Sequence, residues 1–152
     1  MNITTEQIKK LREKCGAGVM ECRRALEETL GDIEKAEEML RKQGLEIAEK
    51  KKERELKSGV IECYSHGGGR VVSVVELLSE TDFVARNEEF RSIAHELAMQ
   101  VAAMSPKDSG DLLSQPYIRD PKKTVGDLIN ELVGKIRENI QIGRIARFEL
   151  GE

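Results

Sequence analysis

The sequence predicts an α+β protein, with a small helical unit first and then a three-stranded antiparallel sheet with packed helices. Three observations predict this. Residues 1–44 hold three short helix-periodic segments separated by glycines. Two stretches of period-two alternation flank Gly67, Gly68 and Gly69. A third alternating stretch closes the chain, after two further amphipathic helical segments.

Thr4 or Thr5 suits a helix N-cap, with Gln7 three residues after Thr4 completing a capping box. Ile8, Leu11 and Cys15 follow at helical spacing, and Gly16 ends the helix. Gly16-Ala17-Gly18 reads as a tight turn. The second helix carries Cys22, Ala25, Leu26 and Leu30 inward and ends at Gly31. Asp32 caps a third, with Ile33, Ala36, Met39 and Leu40 as its stripe and Gly44 as its stop. Three helices of this size are marginal alone. Val19 and Met20 open the second helix directly after the glycine turn. Either they close the bottom of the bundle or they form an adaptable binding surface, a role Met suits. Residues 45–57 are dense in Glu and Lys. The Lys50-Lys51-Lys52 run is interleaved with Glu46, Glu49, Glu53 and Glu55, which suits an exposed helical linker better than a nucleic-acid patch.

The third segment, 58–152, is the α+β core. Val60, Glu62 and Tyr64 alternate with Ile61, Cys63 and Ser65, and a second strand runs from Val71 to Leu78. The glycine triplet between them tempts a phosphate-loop reading. Such a loop opens a helix, whereas this one joins two strands, where glycine supplies the positive φ of a hairpin. Asn87 caps a helix whose stripe is Phe90, Ile93, Ala94, Leu97, Ala98, Val101 and Ala102, ended by Ser105-Pro106. Residues 108–123 are turn-rich. Thr124 caps another helix, with Leu128, Ile129, Leu132, Val133 and Ile136 inward. The last strand is expected to set Ile140, Ile142, Arg144, Ala146, Phe148 and Leu150 on one face.

Composition narrows the function classes. The 152 residues carry 25 Lys and Arg against 28 Asp and Glu, a net charge of −3, which argues against a protein built to neutralise phosphates. Cys15, Cys22 and Cys63 are too few and too irregular for a disulfide framework or a zinc site, and read as reduced thiols. The N-terminus opens no apolar signal core, and no run approaches ~18 apolar residues, so a soluble, cytoplasmic protein is expected, with no membrane contact. Cys63 and His66 suggest a nucleophile and base, but no third orienting group is evident. His95 beside Glu96 marks no metal site. No cofactor, metal or catalytic residue is expected.

Between the second strand and the following helix stands Glu80-Thr81-Asp82-Phe83-Val84-Ala85-Arg86-Asn87. Strand-to-helix turns usually carry Gly, Pro or Ser. This one sets a carboxylate beside an aromatic, in a chain with three Phe, two Tyr and no Trp. Phe83 either folds back at the rim of the sheet or is presented to a partner by a rigid turn.

This string resembles the signature of the elongation factor Ts family, the guanine-nucleotide exchange factors of the translational GTPase elongation factor Tu. The likeness extends through Leu11-Arg12, Gly16-Ala17-Gly18-Val19-Met20, Cys22 and Ala25-Leu26. It continues in Gln115-Pro116-Tyr117-Ile118, Asp120-Pro121, Thr124-Val125, Glu138-Asn139-Ile140 and Arg147-Phe148-Glu149-Leu150. The resemblance implies a ubiquitin-associated-like domain at 1–44, a charged helical linker at 45–57 and a dimerising core at 58–152. It implies that Arg12, Val19 and Met20 dock on a helix of the GTPase domain. Thr81, Asp82, Phe83 and Val84 would disturb the partner's Mg²⁺ site, with Phe83 as wedge. The chain departs from the family at Cys15, Ser79 and Arg137, where Thr, Cys and Gly are usual. It also lacks the insertion or second core copy that longer members carry between the positions of Met104 and Leu112. Short members supply both core halves by homodimerising, so a homodimer, sheet edge to sheet edge, is expected. Two other classes compete: an enzyme using Cys63 and His66, and a helical adaptor that binds through Val19 and Met20 without exchange activity.

Overall fold

A computed structural model of the chain describes residues 2–51 and 53–152, without the side chains of residues 47, 48 and 51. It divides into two compact units, Met1–Lys51 with Asn130–Arg137, and Lys52–Ile129 with Glu138–Glu152.

The first unit begins with α1 (Thr5–Cys15), closed at its start by the expected capping box: Gln7 N donates to Thr4 Oγ1 at 3.2 Å and Thr4 N to Gln7 Oε1 at 2.9 Å. Gly16 stops it at φ +67°, its amide bonding Arg12 O at 2.8 Å. Glu21 accepts Gly18 N at 3.0 Å as α2 (Val19–Glu28) begins. Leu11, Cys22, Ala25, Leu26 and Ala36 form the core, with Ile3, Ile8, Ile33, Met39 and Leu40 packed around it.

Two expectations fail here. Leu30 is exposed, not inward. Helix α2 ends in a Schellman motif, with Gly31 N bonding Leu26 O at 2.8 Å and Leu30 N bonding Glu27 O at 3.3 Å. That motif puts Leu30 at φ +55° and swings its side chain off the stripe. Gly44 is not a stop either. Helix α3 (Ile33–Lys51), begun by Asp32 capping Lys35 N at 3.1 Å, runs straight through it into the segment read as a linker. A stop would need a left-handed φ, which Gly44 does not adopt. A Cβ on Gly134 would stand 3.5 Å from Gly44 Cα, so Gly44 is a place of close helix approach. Of the Lys50-Lys51-Lys52 run, Lys50 is exposed, while Lys52 and the Lys51 side chain lie outside the described residues.

The second unit is built on β1 (Ser58–His66) and β2 (Val71–Ser79), an antiparallel pair in which His66 faces Val71. Gly67, Gly68 and Gly69 all take positive φ, and Arg70 N bonds His66 O at 3.1 Å, the hairpin anticipated for the triplet. A single turn of helix, α4 (Asp82–Ala85), leads into α5 (Glu88–Met104). Then come α6 (Ser109–Ser114), β3 (Pro116–Tyr117), β4 (Asp120–Thr124), α7 (Val125–Ile136) and β5 (Ile140–Glu149). The sheet order is β1-β2-β5, all antiparallel. Helix α5 packs on β1 and β2, burying Phe90, Ala94, Leu97, Ala98 and Val101 against Val75 and Leu77. Ser73 Oγ, buried between them, donates to Ala98 O at 2.5 Å.

The stretch read as turn-rich holds α6 and the β3–β4 ribbon. Gln100, outside the expected stripe, is fully buried and fastens that ribbon. Its amide donates to Pro116 O at 3.0 Å and accepts from Ile118 N at 3.0 Å, an arrangement with no local sequence signature.

The last strand does not keep one face. Its register against β2 shifts between Val75 and Leu77. Ile140 and Ile142 lie opposite Ser79 and Leu77, but beyond the shift Ile145 and Arg147 take that face, while Phe148 turns outward and is exposed. Glu76 anchors the bulge by accepting Arg144 N at 2.8 Å and the guanidinium at 3.0 and 2.8 Å. A Cβ on Gly143 would stand 2.8 Å from Glu76 Oε1, so a larger residue there would have to displace the carboxylate from its place beside Arg144. These hydrogen bonds from the Arg144 side chain and amide hold the Glu76 carboxyl down at about 2, against an ordinary 4.5.

Two outcomes follow for stability. Gly44→Ala should stabilise the chain by about 0.5–1 kcal/mol in urea unfolding, as expected of a helix interior, because a Cβ there would stand 3.9 Å from Asn130 O, an ordinary contact; destabilisation would show that the close helix approach excludes a Cβ. The depressed carboxyl makes the Glu76–Arg144 contribution complete above about pH 4.5 and lost as pH falls towards about 2. Glu76→Gln should therefore cost about 1 kcal/mol at pH 7 and flatten stability against pH across that window; curves parallel to the parent's would refute the anchoring.

Candidate functional site

Residues 80–90 connect the central strand to the longest helix of the second unit. The backbone ladder of β2 with β5 ends at Ser79 opposite Ile140, and the chain then turns. Ser79 Oγ donates to Thr81 O at 3.0 Å. Thr81 is extended at φ −125°, ψ 155° and caps α4, its hydroxyl accepting Val84 N at 3.4 Å. Arg86 N and Asn87 N close the turn on Asp82 O and Val84 O at 3.1 and 2.9 Å. Asn87 then caps α5, its side chain accepting Phe90 N at 3.1 Å. Two caps six residues apart leave the intervening backbone little freedom.

Side chains from distant segments brace this turn. Glu138 accepts Glu80 N and Thr81 N, both at 3.1 Å, and the Thr81 hydroxyl at 2.7 Å. Glu80 accepts Asn139 N at 2.7 Å and pairs with the Arg54 guanidinium at 3.6 Å. Asn139 Nδ2 donates to Arg54 O at 2.8 Å. From β1, the Ser58 hydroxyl donates to the Asp82 carboxylate. Ala85 is the turn's buried foot, whereas the Phe83 ring is 86% exposed. Of the two readings open for Phe83, the core residue is excluded. An aromatic so exposed on so braced a turn suits insertion into an apolar slot on another molecule.

The four residues singled out there, Thr81, Asp82, Phe83 and Val84, are thus brought together on one projection. Glu138, Ser58 and Arg54 were not foreseen. They stand far along the chain from the turn, and hydrophobic periodicity carries no trace of a polar brace.

Arg12, Val19 and Met20 lie in the first unit. Arg12 is exposed, as are Val19 at 48% and Met20 at 65%, at the start of α2 beyond the Gly16-Ala17-Gly18 turn. They do not close the bundle; Leu11, Cys22 and Leu26 do. Cys15 and Cys22 stand with their sulfurs 4.0 Å apart behind that turn, and burial pushes the Cys22 thiol up to about 11.

The nucleophile reading of Cys63 and His66 fails on strand geometry. Three residues apart on β1, they point to opposite faces. His66 Nδ1 lies 3.1 Å from Tyr64 Oη, and His95 Nδ1 3.2 Å from Glu62 Oε1. Among the described residues, no group of three or more His, Cys, Asp or Glu could hold a metal ion.

Comparison with known proteins gives a consistent result. Residues 80–152 match the family model described as Elongation factor TS. Elongation factor Ts of Caldanaerobacter subterraneus subsp. tengcongensis is 42% identical over an alignment of 195 residues, covering 99% of this chain and 98% of its own length. Elongation factor Ts of Carboxydothermus hydrogenoformans is 42% identical over 99% of this chain and 90% of its own length. Elongation factor Ts of Thermotoga neapolitana is 41% identical over 100% and 99%. These alignments are longer than the 152 residues of the chain, so the relatives carry segments without counterpart here.

Proposed function

The chain belongs to the elongation factor Ts family, and on that footing we propose that it is a guanine-nucleotide exchange factor for elongation factor Tu. It is not an enzyme with a catalytic constellation of its own. It acts in the cytoplasm by binding the GDP-bound GTPase and loosening the nucleotide so that GTP can replace it. The observation that carries this reading is the Phe83 ring, 86% exposed on a turn braced from three directions.

In this mechanism the first unit anchors through Arg12, Val19 and Met20, and the turn does the work on the nucleotide site. Phe83 enters an apolar slot near the switch helix of the GTPase. Asp82 perturbs the water and side-chain network about the partner's Mg²⁺, while Thr81 and Val84 keep the turn in shape. Linkage then requires GDP to weaken binding of the factor by the same factor that the factor weakens GDP. Burying a Phe ring is worth roughly 1.5–3 kcal/mol, and each ~1.4 kcal/mol is tenfold. Phe83 therefore accounts for about ten- to a hundredfold of exchange, the remainder coming from the anchor and the rest of the core.

A homodimer completes the reading. Strands β1 and β5 are the two sheet edges, and on the face away from α5, Ile61 and Phe148 are exposed. A second copy joined sheet edge to sheet edge would shield the exposed side chain of the edge strand it pairs with and supply the second core half that the chain lacks.

Stopped-flow release of fluorescent GDP from elongation factor Tu tests the function. The parent chain should accelerate release, and Phe83→Ala, still folded by circular dichroism, should lose about ten- to a hundredfold of that acceleration. No acceleration by the parent would leave the helical adaptor as the better account. Sedimentation at micromolar concentration should show a dimer; a monomer throughout would remove that part of the proposal.

A further inference from the structure

We infer that Glu138 is a positioning residue for the exposed turn, holding Thr81, and through Thr81 the Phe83 ring, in one orientation. The inference rests on the exchange reading above. Where the ladder of β2 with β5 ends, at Ser79 and Ile140, the next backbone amides have no strand partner. Two carboxylates replace the missing rungs in opposite directions. Glu138 accepts Glu80 N, Thr81 N and Thr81 Oγ1, and Glu80 accepts Asn139 N. The ladder is thus continued by side chains into the turn itself.

The bond to the hydroxyl has the sharpest consequence. Thr81 Oγ1 has one proton and two lone pairs. With its proton directed to Glu138 at 2.7 Å, its lone pair faces Val84 N at 3.4 Å and caps α4. Without Glu138 the Thr81 side chain is free to take another rotamer, and the cap that sets the direction of Phe83 is lost. Thr81, Asp82 and Phe83 are all exposed, so the apolar core does not hold them in place. Ser58 steadies the neighbouring Asp82 through its hydroxyl, whereas the bonds to the Thr81 amide and hydroxyl come from Glu138.

A residue that acts through Phe83 must lose its effect when Phe83 is gone, whereas one that merely ends a strand costs the same in either background. The experiment is a double-mutant cycle read by GDP release from the GTPase, with the parent chain as reference. Glu138→Ala should lower the maximal release rate about tenfold while moving the half-saturating concentration less than about threefold. Glu138→Gln, which keeps a carbonyl oxygen for the two amides and gains an amide N–H that can donate to the Thr81 hydroxyl in place of accepting from it, should recover most of the rate. In the Phe83→Ala background, Glu138→Ala should cost less than about twofold. Equal cost in both backgrounds, or a full rate for Glu138→Ala beside an active parent, overturns the inference. If Glu138→Ala does not fold, Thr81→Val removes the hydroxyl arm and carries the same cycle. A parent that fails to accelerate release counts against the exchange reading. Amide hydrogen exchange on the isolated chain then decides the positioning role: protection at Glu80, Thr81 and Val84 should fall about tenfold in Glu138→Ala and persist in Glu138→Gln. Unchanged protection overturns it.

Discussion

Pairing of β2 with β5 is the constraint on which the second unit depends. It brings together segments that the chain separates by 57 residues at Thr81 and Glu138, and the bonds that Glu138 and Asn139 make at the turn follow from that juxtaposition. The closure of so long a loop costs configurational entropy, which grows slowly with length and is offset by the apolar burial on the helix-covered face. Val75 and Leu77 on the central strand, under Leu97 and Val101 of α5, supply that burial. Once this face is sealed, the strand ends are determined, and Glu80 and Glu138 meet amides rather than water.

The same pairing contains a deliberate break. A perfect two-residue alternation along β5 would have placed Arg144 on the face of Ile142 and Ile140. The bulge opposite Glu76 instead lets Arg144 turn its guanidinium back onto that carboxylate, and it returns Ile145 to the helix-covered face. Gly143 leaves room for it, because a Cβ there would push the carboxylate away from Arg144. Phe148 is exposed as a result, so the strand contributes one apolar surface to the core and a second to the outside.

The two surfaces proposed for partner contact share a physical design. Each presents apolar side chains at the very start of a helix, just beyond a backbone turn held by caps: Val19 and Met20 after Gly16 and Gly18, Phe83 after Thr81. An exposed apolar group loses free energy in water that it recovers on burial, and a rigid turn limits the ordering entropy lost on binding. That logic requires the turns to be stiff in the isolated chain. The two caps and three braces around residues 80–87 meet the requirement.

Much of this molecule was legible in the sequence. The capping box at Thr4 and Gln7, the glycine-triplet hairpin, the stripe of α5 and the caps at Asn87 and Thr124 are local features, set by spacing and by the special conformations of Gly, Thr and Asn. The 81–87 string identified the turn, and its odd pairing of carboxylate and aromatic marked it as a surface of interest. What local spacing could not decide were questions of long-range partnership. Gly44 reads as a stop unless one knows that another helix approaches it. Leu30 reads as stripe unless the Schellman turn is seen. Gln100 and the β3–β4 ribbon find each other only in three dimensions. Residues alone left Phe83 undecided between core and display, since a Phe beside a sheet rim satisfies either pattern. Tertiary structure decided it, because Ala85 fills the space beneath the turn and Glu138 and Ser58 hold the turn from outside, leaving the ring no place in the core.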